Sequence, residues 1–296
     1  MNDSVELLHP AACGVGESIV WSERDRALLW VDITGRTLHR LEPGTGHVER
    51  WNLPEFVTSV GLVASGGVVL GLVRRVCRFD FERLETLTTV EPATSANRLN
   101  EGRVGPDGAF WVGTMENNLN ENGSPRELGE PAGTLYRVDS AGKVDRLVED
   151  TFGISNTMLW DADRFITADT LANELYAYDH DEASGALGAR CTFAAGFDRG
   201  VPDGSCLDAD GYVWNARFGG SCLARFAPDG TVDRVLELPC TNPTSCTFGG
   251  PGLGTLYVTS ARFGLDANQV RREPAEGGVF ACDVGVTGRP EHLFDG

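Results

Sequence analysis

The stretch GRVGPDGAFWVGT, residues 102–114, places an apolar run on each side of a Pro-Asp-Gly turn. Pro, Asp and Gly supply turn geometry, so this stretch predicts a β-hairpin. Its second half recurs along the chain as LLWVDI, VVLGL, FWVGT, RFITAD, YVWNAR and LYVTSA. Steps of 40, 41, 55, 48 and 43 residues separate the equivalent positions, which are Trp30, Leu70, Trp111, Ile166, Trp214 and Tyr257. This period is typical of the blades of a β-propeller.

Each repeat contains four strand-like runs. A shorter apolar run precedes the recurring one, as in SIVWS and TMLWD, and an alternating run and a polar run follow, as in TLYRVDS and KVDRLVED. The sequence therefore predicts an all-β six-bladed β-propeller with four-stranded blades, forming a single domain over residues 1–296. VELLH, residues 5–9, is expected to close the ring by pairing into blade six. EHLF, residues 291–294, competes for that role, and the sequence leaves the choice open.

Composition limits the partners. The formal net charge of −18 argues against nucleic acid and anionic membrane surfaces, which attract Lys and Arg. The first residues lack the pattern of a signal peptide, and no apolar run reaches the roughly 18 residues of a membrane span. We therefore expect a soluble, cytoplasmic protein, either a monomer or a weak homo-oligomer. The eight cysteines are scattered without a CxxC pair and are expected to be mostly buried free thiols.

Polar residues recur where the first strand of several blades begins. Glu17, Asn100, Asn156 and Asp203 lie 13, 11, 10 and 11 residues before the marker of their blade, and Thr58 or Ser59 and Ser245 take this place in blades two and six. In a propeller these starts converge at one end of the axis. Two facing carboxylates repel unless a cation or a proton lies between them, so the ring predicts a metal ion. The alternative is that each residue merely caps its strand.

The expected ligands are all oxygen atoms. Glu17, Asn156 and Asp203 offer three protein ligands and leave positions open, which suits Ca²⁺, Mg²⁺ or Mn²⁺ better than Zn²⁺. Arg98 lies two residues before Asn100, so strand alternation predicts that both face the same side. Long segments at residues 115–133 and 262–277 are expected to form walls or a lid over the site, with plain surface insertions as the alternative.

At these residues the chain resembles the gluconolactonase/regucalcin (senescence marker protein) family of six-bladed propellers. The matching blocks are GVGESIVW, NRLNEGRVGPDGAFWVGTM, GISNTMLW, VPDGSCLDADGYVW and TSCTFGGPGLGTLYVTSAR. The resemblance implies one divalent metal held by Glu17, Asn156 and Asp203. The ligand type favours Ca²⁺, with Zn²⁺, Mn²⁺, Fe²⁺ or Mg²⁺ as alternatives. The resemblance also implies substrate binding by Arg98 and Asn100, and Asp203 as general base.

The implied reaction is hydrolysis of a sugar lactone, such as gluconolactone, arabinonolactone or xylonolactone, to the aldonic acid. Three positions depart from the family pattern. Glu101 stands where Asp is common, Asn118 falls where an acidic residue contacts the substrate, and Glu17 is followed by Ser18 without the family's proline. We therefore include Asn118 among the expected substrate-binding residues. These departures affect substrate identity more than metal binding.

Other functions fit the sequence less well. A non-enzymatic calcium-binding or regulatory propeller of regucalcin type is the main alternative, and Arg98 with Asn100 favours the enzyme because a metal store does not need them. A serine hydrolase is disfavoured by the lack of a GxSxG motif. Propeller enzymes that depend on a channel histidine are disfavoured because the five histidines fall outside the ring phase.

Overall fold

Short strands make up most of the chain. The structure is a computed structural model that describes residues 3–296; Met1 and Asn2, part of the expected domain, lie outside the described residues. The first strands are β1 (Ser4–His9), β2 (Gly16–Ser22), β3 (Ala27–Asp32), β4 (Thr37–Glu42), β5 (His47–Asn52), β6 (Ser59–Val63), β7 (Val68–Gly71), β8 (Arg75–Phe79), β9 (Leu84–Thr89), β10 (Asn97–Val104), β11 (Phe110–Glu116), β12 (Leu135–Val138) and β13 (Val144–Arg146).

The remaining elements include two short helical segments. In chain order they are β14 (Ser155–Asp161), β15 (Arg164–Asp169), β16 (Glu174–Asp181), β17 (Ala186–Ala194), β18 (Val201–Leu207), β19 (Val213–Phe218), β20 (Cys222–Phe226), β21 (Val232–Glu237), β22 (Pro243–Gly249), a 3₁₀ turn (Pro251–Leu253), β23 (Thr255–Ser260), helix α1 (Ala267–Arg272), β24 (Val279–Asp283) and β25 (Leu293–Phe294).

The strands form six antiparallel blades around one axis. Blade one has the order β2-β3-β4-β5, and the next four blades repeat this order from β6, β10, β14 and β18. Blade six has the order β22-β23-β24-β1. The innermost strands β2, β6, β10, β14, β18 and β22 contact one another in sequence and close a ring. The predicted six-bladed propeller is confirmed.

The two ends of the chain pair with different blades. β1 pairs with β24 in blade six, with Val5 opposite Cys282, so the N-terminal strand closes the ring. β25 instead pairs in parallel with β6, with Phe294 opposite Val63, and gives blade two a fifth strand. The expectation of four strands in every blade is therefore wrong for blade two. The reason is that the channel-facing edge of β6 has free backbone groups on which a short segment can pair.

Apolar layers between the blades hold the ring together. Trp30, Trp111 and Trp214 occupy the same place in three blades and are fully buried, as their recurrence predicts. Trp30 stacks on His39 with ring centroids 4.8 Å apart. Seven of the eight cysteines are buried and none is in a disulfide, while Cys191 is exposed.

The C-terminal segment crosses the end of the channel opposite to the strand starts. It contacts the turns that follow the innermost strands: Gly288 pairs with Asp208, and Asp295 N donates to the carbonyl oxygen of Gly108. The Arg103 guanidinium donates to both carboxylate oxygens of Glu291, at 3.0 and 2.6 Å. This segment therefore links the innermost strands to one another at that end of the channel.

We expect Glu291→Ala to destabilise the fold by about 3 kcal/mol, because it leaves the Arg103 charge without its partner in the interior. Urea unfolding measures the loss. Glu85→Ala is the matched control, since the Glu85 pair with Arg83 spans 3.9 Å between two largely exposed side chains, and its loss should cost less than about 0.5 kcal/mol. Equal costs for the two variants would contradict a bracing role for Glu291.

Candidate functional site

Backbone irregularities set the site at the mouth of the channel. Five of the six innermost strands shift register against their neighbour just past their start, whereas β6 pairs regularly with β7. The shifts follow Glu17 and Asn156 and enclose Asn100 and Asp203. A bulge turns side chains away from strict alternation. Ser18 and Thr157 mark two of these bulges with positive φ angles of 52° and 57°.

Glu17 and Asp203 form a buried carboxyl pair. Their carboxyl groups lie within hydrogen-bonding reach of each other although they come from blades one and five. Burial raises the pKa of Glu17 well above its usual range, and the charge of Asp203 raises it further. The pKa of Asp203 is raised as well, chiefly by burial. A cation between the two groups would relieve both the desolvation and the repulsion.

Asn156 presents its side-chain oxygen rather than its nitrogen to this pair. The Thr170 hydroxyl donates its single proton to the carbonyl oxygen of Pro202 at 2.8 Å, so it accepts from Asn156 Nδ2, also at 2.8 Å. The Asn156 amide is thereby fixed with Nδ2 toward Thr170. Its Oδ1 is left as an acceptor beside the carboxyl pair, within 3.3 Å of Asn100 Nδ2. Sequence reasoning missed Thr170.

Arg98, Asn100 and Asn118 form one hydrogen-bonded wall. Arg98 Nη1 donates to Asn100 Oδ1 at 2.7 Å, and Arg98 Nη2 donates to Asn118 Oδ1 at 3.0 Å. Burial lowers the pKa of Arg98 to about 10, while Glu17 acts in the opposite direction. Arg98 and Asn118 line the cavity above the carboxyl pair; Asn100 lies behind them and also donates to the carbonyl oxygen of Ser155 at 3.0 Å.

A third buried carboxyl group, that of Glu101, lies beneath the pair. Burial raises the pKa of Glu101 to about 7, and the nearby Arg103 opposes this increase. The charge of Glu101 in turn raises the pKa values of both Glu17 and Asp203. Glu101 is therefore part of the electrostatics of the site although it does not line the cavity. The feature of the sequence that could have placed Glu101 near the site is its position directly after Asn100.

The ring members expected from blades two and six stay outside the cavity. Thr58 Oγ1 donates to the carbonyl oxygen of Gly71 at 3.3 Å, Ser59 is fully buried, and Ser245 is buried beside Gly204. The cavity lining takes Glu17, Asn156 and Asp203 from the ring. The structure thus places three of the predicted polar positions together at one centre.

Both long segments reach the cavity. The first gives Asn118 and Leu119 to the lining, and the second gives Phe263. The second also contains helix α1, which sequence analysis did not predict. Asp266 caps it by accepting from the backbone N–H groups of Asn268 and Gln269. The segments therefore wall the site.

No group of three or more His, Cys, Asp or Glu residues among residues 3–296 could hold a metal ion; the set described above instead combines two carboxyl groups with an amide. Over the same residues, no helix is both long and apolar enough to cross a membrane.

Comparison with known proteins gives the family. Residues 15–262 match the model of the SMP-30/Gluconolactonase/LRE-like region. The chain is 35% identical to regucalcin from Oryctolagus cuniculus over 99% of this chain and 98% of that protein. It is 36% identical to 6-deoxy-6-sulfogluconolactonase from Pseudomonas putida over the full length of both. The crystal structure of a calcium-binding protein, regucalcin, from Agrobacterium tumefaciens superposes with a TM-score of 0.89 at 28% identity, covering 98% and 97% of the two chains. The chain belongs to the SMP-30/gluconolactonase/LRE-like family of sugar lactonases.

Proposed function

We propose that this protein is a metal-dependent hydrolase that opens a sugar lactone, such as gluconolactone, arabinonolactone or xylonolactone, to its aldonic acid. The observation that carries the proposal is the buried carboxyl pair of Glu17 and Asp203 beside the oriented Asn156 oxygen. Family membership supports the reaction class, since the relatives include a protein named 6-deoxy-6-sulfogluconolactonase. The hydrogen-bonded wall of Arg98 and Asn118 supports a substrate with hydroxyl groups.

The residues present fit one divalent cation. Glu17, Asp203 and the Oδ1 atom of Asn156 would hold it, and such an all-oxygen set favours Ca²⁺, with Mn²⁺, Mg²⁺, Fe²⁺ or Zn²⁺ as alternatives. The relatives named regucalcin include one described as calcium-binding, which supports the same choice. A divalent cation bound there supplies polarisation of the lactone carbonyl.

The chain's own residues account for the other requirements. Asp203 acts as the general base and takes a proton from the attacking water, whose oxygen forms the new bond to the carbonyl carbon. The bond between that carbon and the ring oxygen breaks, the ring oxygen takes up a proton, and the product is the aldonate with one proton released. Arg98 and Asn118 hold substrate hydroxyls from the wall, and Asn100 supports them from behind through its bond to Arg98.

A pH-indicator assay tests the proposal. The metal-stripped protein is mixed with a panel of aldonolactones, and Ca²⁺, Mn²⁺, Fe²⁺, Zn²⁺ and Mg²⁺ are added back singly. Proton release above the spontaneous rate that requires a cation supports the lactonase. Cation binding by calorimetry without any accelerated lactone opening would overturn it in favour of a non-enzymatic calcium-binding propeller.

Thr170→Val is expected to weaken cation binding 10- to 100-fold, because Asn156 loses the partner that fixes its amide orientation. Titration calorimetry with Ca²⁺ measures the change. Thr170→Ser is the matched control: it keeps the hydroxyl and should keep most of the affinity. Equal affinities in the two variants would show that the Thr170 hydroxyl does not orient Asn156.

We also propose that the protein acts in the cytoplasm as a monomer or weak homo-oligomer. All eight cysteines are free, which suits a reducing compartment. The net charge of −18 opposes close association of copies.

A further inference from the structure

The cavity above the carboxyl pair has two kinds of wall. Its volume is about 160 Å³, and its polar side carries Arg98, Asn118 and Thr170. The rest is an apolar collar, defined here as Val15, Ile33, Leu119, Ile154, Phe218 and Phe263. A site for a fully hydroxylated sugar would be expected to offer hydrogen-bonding partners on more than one side.

The apolar collar lies directly above the polar residues Glu17, Asn156 and Asp203. Val15 precedes Glu17 by two residues, and Ile154 precedes Asn156 by two. Alternate residues of an extended strand face the same side, so each apolar side chain lies above a polar one. Phe218 takes the corresponding place in blade five, where it pairs with Val201, two residues before Asp203. A lactone whose carbonyl lies at the carboxyl pair would therefore direct its remote end into the collar.

Part of the collar is continuous with the protein core. Val15, Ile33, Leu119 and Phe263 pack in one cluster with the apolar residues of blades one and two. The backbone N–H of Phe263 donates to the carbonyl oxygen of Gly14 at 3.0 Å, which holds its segment in place. A substrate hydroxyl buried against this surface would lose its water without gaining a hydrogen bond.

The placement of charge in the cavity disfavours an anionic group at the remote end of the substrate. Among the described residues that line it, Arg98 is the one cationic side chain. Three of its five N–H groups already donate, to Asn100 Oδ1, to Asn118 Oδ1 and to the carbonyl oxygen of Leu99. A sulfonate or phosphate at the remote end of the lactone would lie in the apolar collar, where it would lose its water without a cationic partner. This differs from what the name of the Pseudomonas putida relative says of its sulfonated substrate.

We propose that the collar selects an uncharged aldonolactone whose end remote from the carbonyl is a methyl group, that is, a terminally deoxygenated sugar lactone. This inference rests on the proposed lactonase function and narrows its substrate. The collar residues act as specificity-determining residues by burying that methyl group.

Three 1,5-lactones that differ only at C6 test the inference: D-gluconolactone, its 6-deoxy analogue and its 6-deoxy-6-sulfo analogue. We expect kcat/KM, corrected for spontaneous opening, to be about 10- to 100-fold higher for the methyl compound than for the hydroxymethyl compound, the range an apolar pocket gives against an added hydroxyl. The sulfonated compound should be the poorest of the three.

Collar variants assign the preference to these residues. Leu119→Asn and the isosteric Val15→Thr should bring the methyl to hydroxymethyl ratio of kcat/KM toward one. Leu171→Asn and Val232→Thr are matched controls on side chains that are 54% and 48% exposed, and they should leave the ratio unchanged. The ratio is internal to each variant, so partial loss of folded protein does not affect it.

The outcomes separate the two proposals. If lactones are opened but the hydroxymethyl or sulfonated compound is preferred, or if the collar variants keep the ratio, this inference fails and the lactonase stands. If no lactone is opened with any cation, the lactonase fails and this inference fails with it.

Discussion

Replacing Asp203 by asparagine is expected to weaken divalent-cation binding and, at a saturating cation concentration, to lower kcat for lactone hydrolysis roughly 1,000-fold, within the range attributed to a general base. The asparagine side chain keeps an oxygen that can ligate a cation, but it cannot accept a proton from water. The assay is run at a cation concentration that saturates both proteins, as calorimetry shows.

Folding should be preserved in Asp203→Asn. The backbone of Asp203 is held independently of its carboxyl group, because its carbonyl oxygen accepts from Thr157 Oγ1 at 2.6 Å and from Asn215 Nδ2 at 3.1 Å. The variant also removes a buried carboxyl group whose pKa is raised by burial. Urea unfolding should therefore show no loss of stability in the metal-free protein.

Glu101→Gln is the matched control for Asp203→Asn. It makes the same carboxylate-to-amide change in the buried layer beneath the site, outside the cavity lining. Its effect on kcat should stay below about tenfold, the equivalent of one pKa unit at Asp203. If Asp203→Asn keeps wild-type kcat, or if both variants lose activity equally, Asp203 is not the base.

The positions of the predicted ligands followed from repeat phase alone. Glu17, Asn156 and Asp203 share a place at the start of the innermost strands, and a propeller brings those starts to one end of its axis. The bulges that orient these side chains could not be predicted from repeat phase. Each of these bulges adds one residue to the innermost strand and leaves composition and hydrophobic alternation almost unchanged.

Long-range partners were equally hidden. Nothing in the sequence near Arg103 indicates that Glu291, 188 positions later, forms its ion pair. The two residues of β25 are too few to carry a pairing signal of their own. Helix α1 is different, because Asp266 with Gln269 three positions later is the pattern of a capping box and could have been recognised.

Replacing Glu17 by glutamine should change stability and cation binding in opposite directions. The metal-free protein should become more stable by about 1–3 kcal/mol, because the change removes one of two buried carboxyl groups that burial and mutual repulsion disfavour. Cation affinity should fall at least about 100-fold, because the glutamine oxygen can still ligate a cation but the site loses one of its two negative charges.

Urea unfolding of the chelator-treated proteins and calorimetry with Ca²⁺ measure the two effects of Glu17→Gln separately. Glu23→Gln is the control, since Glu23 is exposed in the turn that follows the same strand, and it should change neither quantity. Replacing a carboxyl group that stabilises the fold would lower the stability of the protein. Replacing one whose role is to bind a cation raises the stability of the metal-free protein, as expected where function opposes stability. A less stable metal-free Glu17→Gln protein with unchanged affinity would therefore show that the Glu17–Asp203 pair is structural and not a cation site.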